Sequence, residues 1–206
     1  MNDLQGEKAE LRQWARKKGR ELPPEYLLAS DRRIETLLLG TPEWAAAKTL
    51  FIYLSMRFEP DTVGMLHAAW QGGKRVIVPR CLEHGIMEAR EISGLDGLVP
   101  KRFGILEPGE GCPQVSPEEI DLVVAPCVAA DDQLQRLGNG GGYYDRFLTL
   151  VQCPVICLCR GRLMLEKIPA DVLDVPVSAV ISEEGIFRKA GGEKPRQCAK
   201  ARSELL

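Results

Sequence analysis

Histidine is nearly absent from this chain of 206 residues; only His67 and His84 occur, beside glycine or small residues. No serine–histidine–acid nucleophile can be argued from that pair. Long apolar runs are missing as well. No stretch approaches the roughly 18 uninterrupted apolar residues of a membrane helix, so no membrane partner is expected. The opening residues, M-N-D-L-Q-G-E-K, lack the apolar centre of a signal peptide. Charge of one sign is also missing, since 27 Lys and Arg face 29 Asp and Glu for a net charge of −2. Nothing pulls the chain toward nucleic acid, and any anion binding has to be local. The seven cysteines are odd in number and form no regular framework. Cys127, Cys157 and Cys159 lie in apolar runs, where reduced cysteine acts as a small hydrophobe, so a cytoplasmic location is expected. A metal site on Cys153, Cys157 and Cys159 would still want further ligands, and the two histidines are elsewhere. There are no repeats or heptads.

What is present is a cluster of glycines. Residues 136–146 read R-L-G-N-G-G-G-Y-Y-D-R, with Gly138, Gly140, Gly141 and Gly142 inside five positions. Without a Cβ the backbone can turn through positive φ and bring its N–H groups close to a ligand. Ahead of a helix, such a run makes a nest of donors suited to phosphate. Arg136 and Arg146 bracket it, and Asp145 could hold the metal ion that accompanies a nucleotide. Serine-poor and followed by Tyr143, Tyr144 and Phe147, the stretch does not read as a flexible linker. It is not a Walker A loop, because Tyr143 follows the last glycine. Nor is it a dinucleotide fingerprint, because Tyr143 stands where the third glycine belongs.

Periodicity predicts helices over residues 8–18, 24–39 and 62–71, and a further one over 144–151 behind the glycines. Buried strands are expected over 49–54, 75–78, 120–126, 154–159 and 178–181. This alternation implies an α/β fold: a doubly wound, mostly parallel sheet with helices on both faces, in three layers. Residues 1–188 read as one domain and 189–206 as a polar tail. Residues 86–119 read as irregular, with room for a short hairpin. In open parallel sheets ligands sit beyond the carboxyl ends of the strands. The residues after 49–54, after 75–78 and after 120–125 are thereby brought to one crevice, the last of these strands leading into the glycine loop.

Other candidates follow from that placement. Glu59 would point into the crevice, with Met56 and Phe58 able to pack on a planar ring, while Asp61 and Thr62 would cap the next helix. Glu107 reads as a surface acid unless it reaches a substrate group. Asp174 could join Asp145 on a magnesium ion. Lys8, Arg12, Arg16 and Lys17 form a basic helix face, from which Lys8 and Arg12 could reach nucleotide phosphates if the helix folds over the crevice.

Taken together these residues resemble the 5-formyltetrahydrofolate cyclo-ligase family, over about residues 8–185. The resemblance is carried by Lys8-x-x-Leu11-Arg12, Tyr53-Leu54-Ser55-Met56-x-x-Glu59-x-Asp61-Thr62, Pro79-Arg80, Gly104-Ile105-Leu106-Glu107-Pro108 and above all residues 136–146. It implies an ATP- and magnesium-dependent enzyme that converts 5-formyltetrahydrofolate to 5,10-methenyltetrahydrofolate, releasing ADP and phosphate, and working as a monomer. By the same resemblance Lys8 and Arg12 contact ATP, and Arg136, Leu137, Gly138, Asn139, Gly140, Gly141, Gly142, Tyr143 and Tyr144 wrap the triphosphate. Arg136, Tyr143 and Asp145 take the catalytic positions, and Asp145 and Asp174 hold Mg2+. Leu54, Met56 and Glu59 line the folate site together with Asn139, Gly140, Gly141, Gly142 and Tyr143. Some positions depart from the family pattern. Asn139 stands where the family usually has arginine, lysine or an aromatic, Ala130 where phenylalanine is common, Leu173 for a usual histidine and Ser178 for a usual aspartate. These departures keep open an inactive or redirected folate- or nucleotide-binding paralogue. A different enzyme on a similar scaffold, of sugar-phosphate isomerase or CoA-transferase type, is the remaining alternative.

Overall fold

Four apolar runs buried along their whole length form the centre of the molecule: β1 (Thr49–Ile52), β7 (Leu122–Ala125), β10 (Val155–Leu158) and β12 (Ala179–Ser182). A computed structural model describes residues 4–100 and 106–189. Strands apolar on both faces pair in parallel when both faces are covered. Here β1 pairs in parallel with β7 and with β2 (Arg75–Cys81), β7 with β10, and β10 with β12. The order β12-β10-β7-β1-β2 is doubly wound, and its strand order reverses between β1 and β7. Antiparallel strands finish both edges: β13 (Gly185–Phe187) on β12, and β3 (Met87–Ile92) then β6 (Gln114–Val115) beyond β2.

Side chains alternate between the two faces. Leu50, Ile52, Leu122, Val124, Ile156 and Leu158 pack beneath α2 (Pro24–Leu39), α3 (Pro42–Ala46) and α4 (Val63–Gln71). Helix α2 starts on Pro24, whose missing N–H is no loss there, and Gly40 closes it by donating to Thr36 O. The opposite face presents Phe51, Val123, Cys157 and Val180 to α5 (Tyr143–Leu148). Phe147 of α5 stacks on Phe51 with centroids 4.6 Å apart, which fixes the short helix to the sheet.

The expected α/β class and layering are borne out, with three corrections. The long first helix, α1 (Leu4–Arg20), extends past both expected ends and packs Leu11 and Ala15 on Ala129, Leu137 and Ile168. It covers a small second sheet of β8 (Ala129–Asp131), β9 (Arg136–Leu137) and β11 (Met164–Leu165). The strand that feeds the glycine loop is therefore β9, not the buried strand at 120–125. Two short strands intervene because the polar turn Asp132-Gln133 breaks the apolar run. The segment 86–119 is also more ordered than its mixed composition suggests. It supplies β3 and β6, and its hairpin is real, formed by β4 (Leu98–Pro100) and β5 (Leu106–Pro108). Strand β3 alternates buried Met87 and Ala89 with charged residues, while Ile92 at its end packs on the other face. The expected tail, beyond Lys189, lies outside the described residues, as do Gly104 and Ile105.

The small sheet depends on Asp131, which is fully buried. Its carboxylate accepts from Gln135 N (2.8 Å) and Ile168 N (2.8 Å), so it shapes the β8–β9 turn and ties in the chain past β11. Asp131→Ala should cost about 3 kcal/mol in urea unfolding, because two buried N–H groups lose their acceptor. A loss below about 1 kcal/mol would mean that water or a neighbouring group replaces the carboxylate.

Candidate active site

The carboxyl ends of β1, β2 and β7 open into one cavity of about 1440 Å³. That exceeds the roughly 300–1,000 Å³ usual for a single small molecule, leaving room for two. Leu54, Met56 and Glu59 line one part, Lys8, Arg12 and Asp174 another, and the whole run from Arg136 to Arg146 lies along it. The structure thus brings together every position expected to serve either substrate.

The glycine loop has the conformation its composition requires. Gly140 (φ 99°) and Gly142 (φ 67°) are left-handed, and Gly142 directly precedes α5. The loop's carbonyls are held from outside by arginines. Arg12 Nε donates to Gly138 O (2.9 Å), Arg16 to Asn139 O and Oδ1 (both 3.3 Å), and Arg146 to Gly141 O (2.5 Å) and Gly85 O (3.0 Å). Arg146, expected to face an anion, lines the cavity and also ties the loop to the turn around Gly85. Helix α1 does fold over the crevice. Arg16, which looks like one of several solvated bases, is the one that reaches Asn139.

Two ion pairs dominate the electrostatics. Arg136, almost wholly buried, donates to Asp145 Oδ1 at 2.8 Å, bridging β9 and the first turn of α5. Its guanidinium lies 5.4 Å from the centroid of the Tyr144 ring. Lys8, also buried, meets Asp174 at 2.5 Å and Asp171 at 3.3 Å. A backbone N–H from Leu173, ahead of Lys8, holds the Asp171 carboxyl below its ordinary range. Asp171 was not singled out from sequence, although it sits three residues before Asp174. Tyr143 lines the cavity while its hydroxyl donates to Leu82 O (2.8 Å). Arg136 Nε and Tyr144 Oη are buried donors with no hydrogen-bond partner. Such orphans in a native site are commonly satisfied by a ligand.

Asp145 and Asp174 are the carboxylates that could hold a metal. Among the described residues no three His, Cys, Asp or Glu side chains form a cage. Both carboxylates line the cavity, and each is paired with a cation, Asp145 with Arg136 and Asp174 with Lys8. The cysteine alternative is not supported, since Cys157 and Cys159 are buried in and just beyond β10.

Glu59 stands in the loop after β1. Its carboxylate accepts from Met56 N (2.9 Å), and Tyr53 and Thr62 close the loop's base through Pro60 O and Tyr53 O. Burial pushes the Glu59 carboxyl up to about 7, against the Met56 N–H, which favours the charged form. As expected, Asp61 caps α4 by accepting from Val63 N (3.2 Å). Glu107 is buried, not a surface acid, and lies in the cavity wall. Arg160, a buried cation behind the Glu59 loop, has no sequence signal beyond being an arginine at the end of an apolar run.

Comparison with known proteins adds the following. A family model described as the 5-formyltetrahydrofolate cyclo-ligase family matches residues 4–183. The chain is 30% identical to the 5-formyltetrahydrofolate cyclo-ligase of Escherichia coli K12, over 84% of this chain and 98% of that protein. It is 30% identical to a probable 5-formyltetrahydrofolate cyclo-ligase of Schizosaccharomyces pombe, over 71% and 80% of the two chains. The solution structure of Aquifex aeolicus 5,10-methenyltetrahydrofolate synthetase superposes with a TM-score of 0.80 at 28% identity, covering 94% of this chain and 99% of that one.

The raised Glu59 carboxyl has a signed consequence. The folded protein holds this proton to about pH 7 and the unfolded chain only to about 4.5, so ionising Glu59 erodes stability as pH rises through that window. Glu59→Gln should therefore gain stability relative to the parent by about 2 kcal/mol between pH 4 and pH 8, discounted from the full shift because the side chain still meets water. Urea unfolding across pH measures this, and a pH-independent difference would show that Glu59 ionises normally.

Proposed function

The chain belongs to the 5-formyltetrahydrofolate cyclo-ligase family, and from that membership we propose that it uses ATP to convert 5-formyltetrahydrofolate to 5,10-methenyltetrahydrofolate. The observation that carries this reading is the single cavity that joins a cation-lined glycine loop to the Glu59 pocket. One site then holds a nucleotide and a folate side by side, as a direct transfer between them requires.

In the proposed reaction the formyl oxygen attacks the γ-phosphorus of ATP, and the bond to ADP breaks. The formyl carbon becomes a phosphorylated iminium, N10 adds to it and gives up its proton to solvent or the departing phosphate, and phosphate leaves with the former formyl oxygen. Formamide oxygen is a poor leaving group and phosphate a good one. Phosphoryl transfer of this kind needs positioning and neutralised charge, not a protein nucleophile. Here Lys8, Arg12 and Arg136 neutralise the phosphates, and N–H groups of Gly140, Gly141 and Gly142 approach them closely. Glu59 accepts from the pterin's N–H groups, with Leu54 and Met56 against its ring. Tyr143, its hydroxyl held by Leu82, keeps the loop against the cavity wall, and Tyr144 supplies a free hydroxyl.

Asp145 and Asp174 would hold magnesium, which when bound supplies positive charge beside the transferring phosphoryl group. Both carboxylates now neutralise Arg136 and Lys8. Nucleotide and metal would exchange these partners, each arginine or lysine turning to phosphate and each carboxylate to the cation. Magnesium–ATP would bring net negative charge into the site, which Lys8, Arg12 and Arg136 would offset.

Mixing the protein with 5-formyltetrahydrofolate, ATP and magnesium should raise the near-ultraviolet band of the methenyl product. Arg136→Lys should lower that rate on the order of 100-fold or more, since an ammonium cannot replace a forked guanidinium at a phosphoryl group. Melting temperature, recorded alongside, should move by only a few degrees. Absence of product with tight folate binding would favour the inert paralogue. Absence of both would point to another chemistry.

A further inference from the structure

Arg160 follows β10 directly and is only 2% exposed. It does not line the cavity, yet its guanidinium reaches four groups. Nε donates to Phe58 O (3.0 Å), Nη1 to Leu27 O (3.2 Å), and Nη2 to Glu59 O (2.8 Å) and Asp31 Oδ1 (2.8 Å). The same Asp31 oxygen accepts from Asp61 N (3.0 Å). A buried cation is tolerated when its donors are paired this fully, and breaking the set is costly. Arg160 and Asp31 therefore fasten both sides of Glu59 to α2, through the carbonyls of residues 58 and 59 and the N–H of residue 61.

We propose that Arg160 is a positioning residue for the folate end of the site, holding the backbone that presents Glu59. Among the described residues the Glu59 side chain is hydrogen-bonded only within its own loop, to Met56 N. Its location in the cavity thus depends on where that loop is held, and among those residues no hydrogen bond or ion pair joins Arg160 to the nucleotide half of the cavity. The holder is itself rigid. Next to it Gly161 N donates to Glu183 Oε2 (2.9 Å), which also accepts from Ser30 (2.9 Å), while Tyr26 donates to the other Glu183 oxygen. Arg162 lies 4.2 Å from the centroid of the Tyr26 ring. Lysine cannot take over, because its compact ammonium lacks the planar fork that meets carbonyls in several directions at once.

The inference rests on the folate reading above and is tested by measuring the two ligands separately. 5-Formyltetrahydrofolate binding without nucleotide and magnesium–ATP binding without folate are titrated for the parent, Arg160→Lys and Asp31→Asn, with initial rates alongside. Arg160→Lys should raise the folate Kd and KM about tenfold, with the nucleotide Kd within about twofold of the parent and kcat falling less than KM rises. Asp31→Asn keeps an acceptor for Asp61 N and removes only the charge facing Arg160; it should show the same pattern at about threefold. Should Arg160→Lys not fold, that second variant decides. Folate affinity unchanged in the folded variants, or both ligands weakened alike, overturns the inference. A parent that binds no folate sinks the functional reading and the inference with it, a result distinct from equal folate binding by parent and variant.

Discussion

The ion pair of buried Arg136 with half-buried Asp145 is the interaction on which the rest of the site depends. Arg136 lies in β9 and Asp145 in the first turn of α5, so their 2.8 Å contact spans the glycine loop and sets the distance between its ends. A guanidinium this buried must have a carboxylate or an equivalent anion beside it. That requirement explains why the loop can be rich in glycine and still have one shape. The backbone freedom given by left-handed Gly140 and Gly142 is limited at both ends by charge, and outside by arginines on its carbonyls. At a net charge of −2 the chain as a whole exerts no long-range pull on anions, so any attraction has to come from the cations beside the loop.

Much of the fold was legible in the chain because its central strands are apolar on both faces. Residues 49–54, 120–126 and 154–159 contain β1, β7 and β10 almost unchanged, and Pro24 and Gly40 mark α2 to the residue. Short length and β-branched composition, not period, separate such runs from buried helix. The failures lie where neither period holds. Strands β8, β9 and β11 have two or three residues each, too few to show alternation, and they exist because α1 packs over them. Strand β3 is half charged, so its pairing with β2 is decided by the neighbouring edge and not by its own composition.

The site divides in the same way. Residues on the glycine loop and after β1 could be named from sequence because strand ends and glycine clusters have local chemical meaning. Arg160 could not, because its partners at 27, 31, 58 and 59 are far apart in the chain. Asp171 and Arg16 were obscured for another reason. An acid in a polar loop and a base on a basic helix face look like solvated groups until the fold shows what they meet.

The departures from the family pattern bear on whether this copy can turn over. Asn139 stands where the family usually has arginine, lysine or an aromatic, and its two oxygens accept from Arg16 at 3.3 Å. This contact holds only while α1 stays docked. Leu11 and Ala15 on the small sheet keep it there. Ala130 is fully buried between β9 and β11, so the shorter side chain leaves a closely paired sheet, not a gap. Leu173 is largely exposed, yet its backbone N–H bonds Asp171 (2.8 Å) and thereby shapes the segment that pairs with Lys8. None of these three substitutions removes either ion pair of the cavity, Arg136 with Asp145 or Lys8 with Asp174. That retention favours a working enzyme over an inert binding protein, since selection for folate binding alone would not require cations and carboxylates paired across the nucleotide half of the cavity.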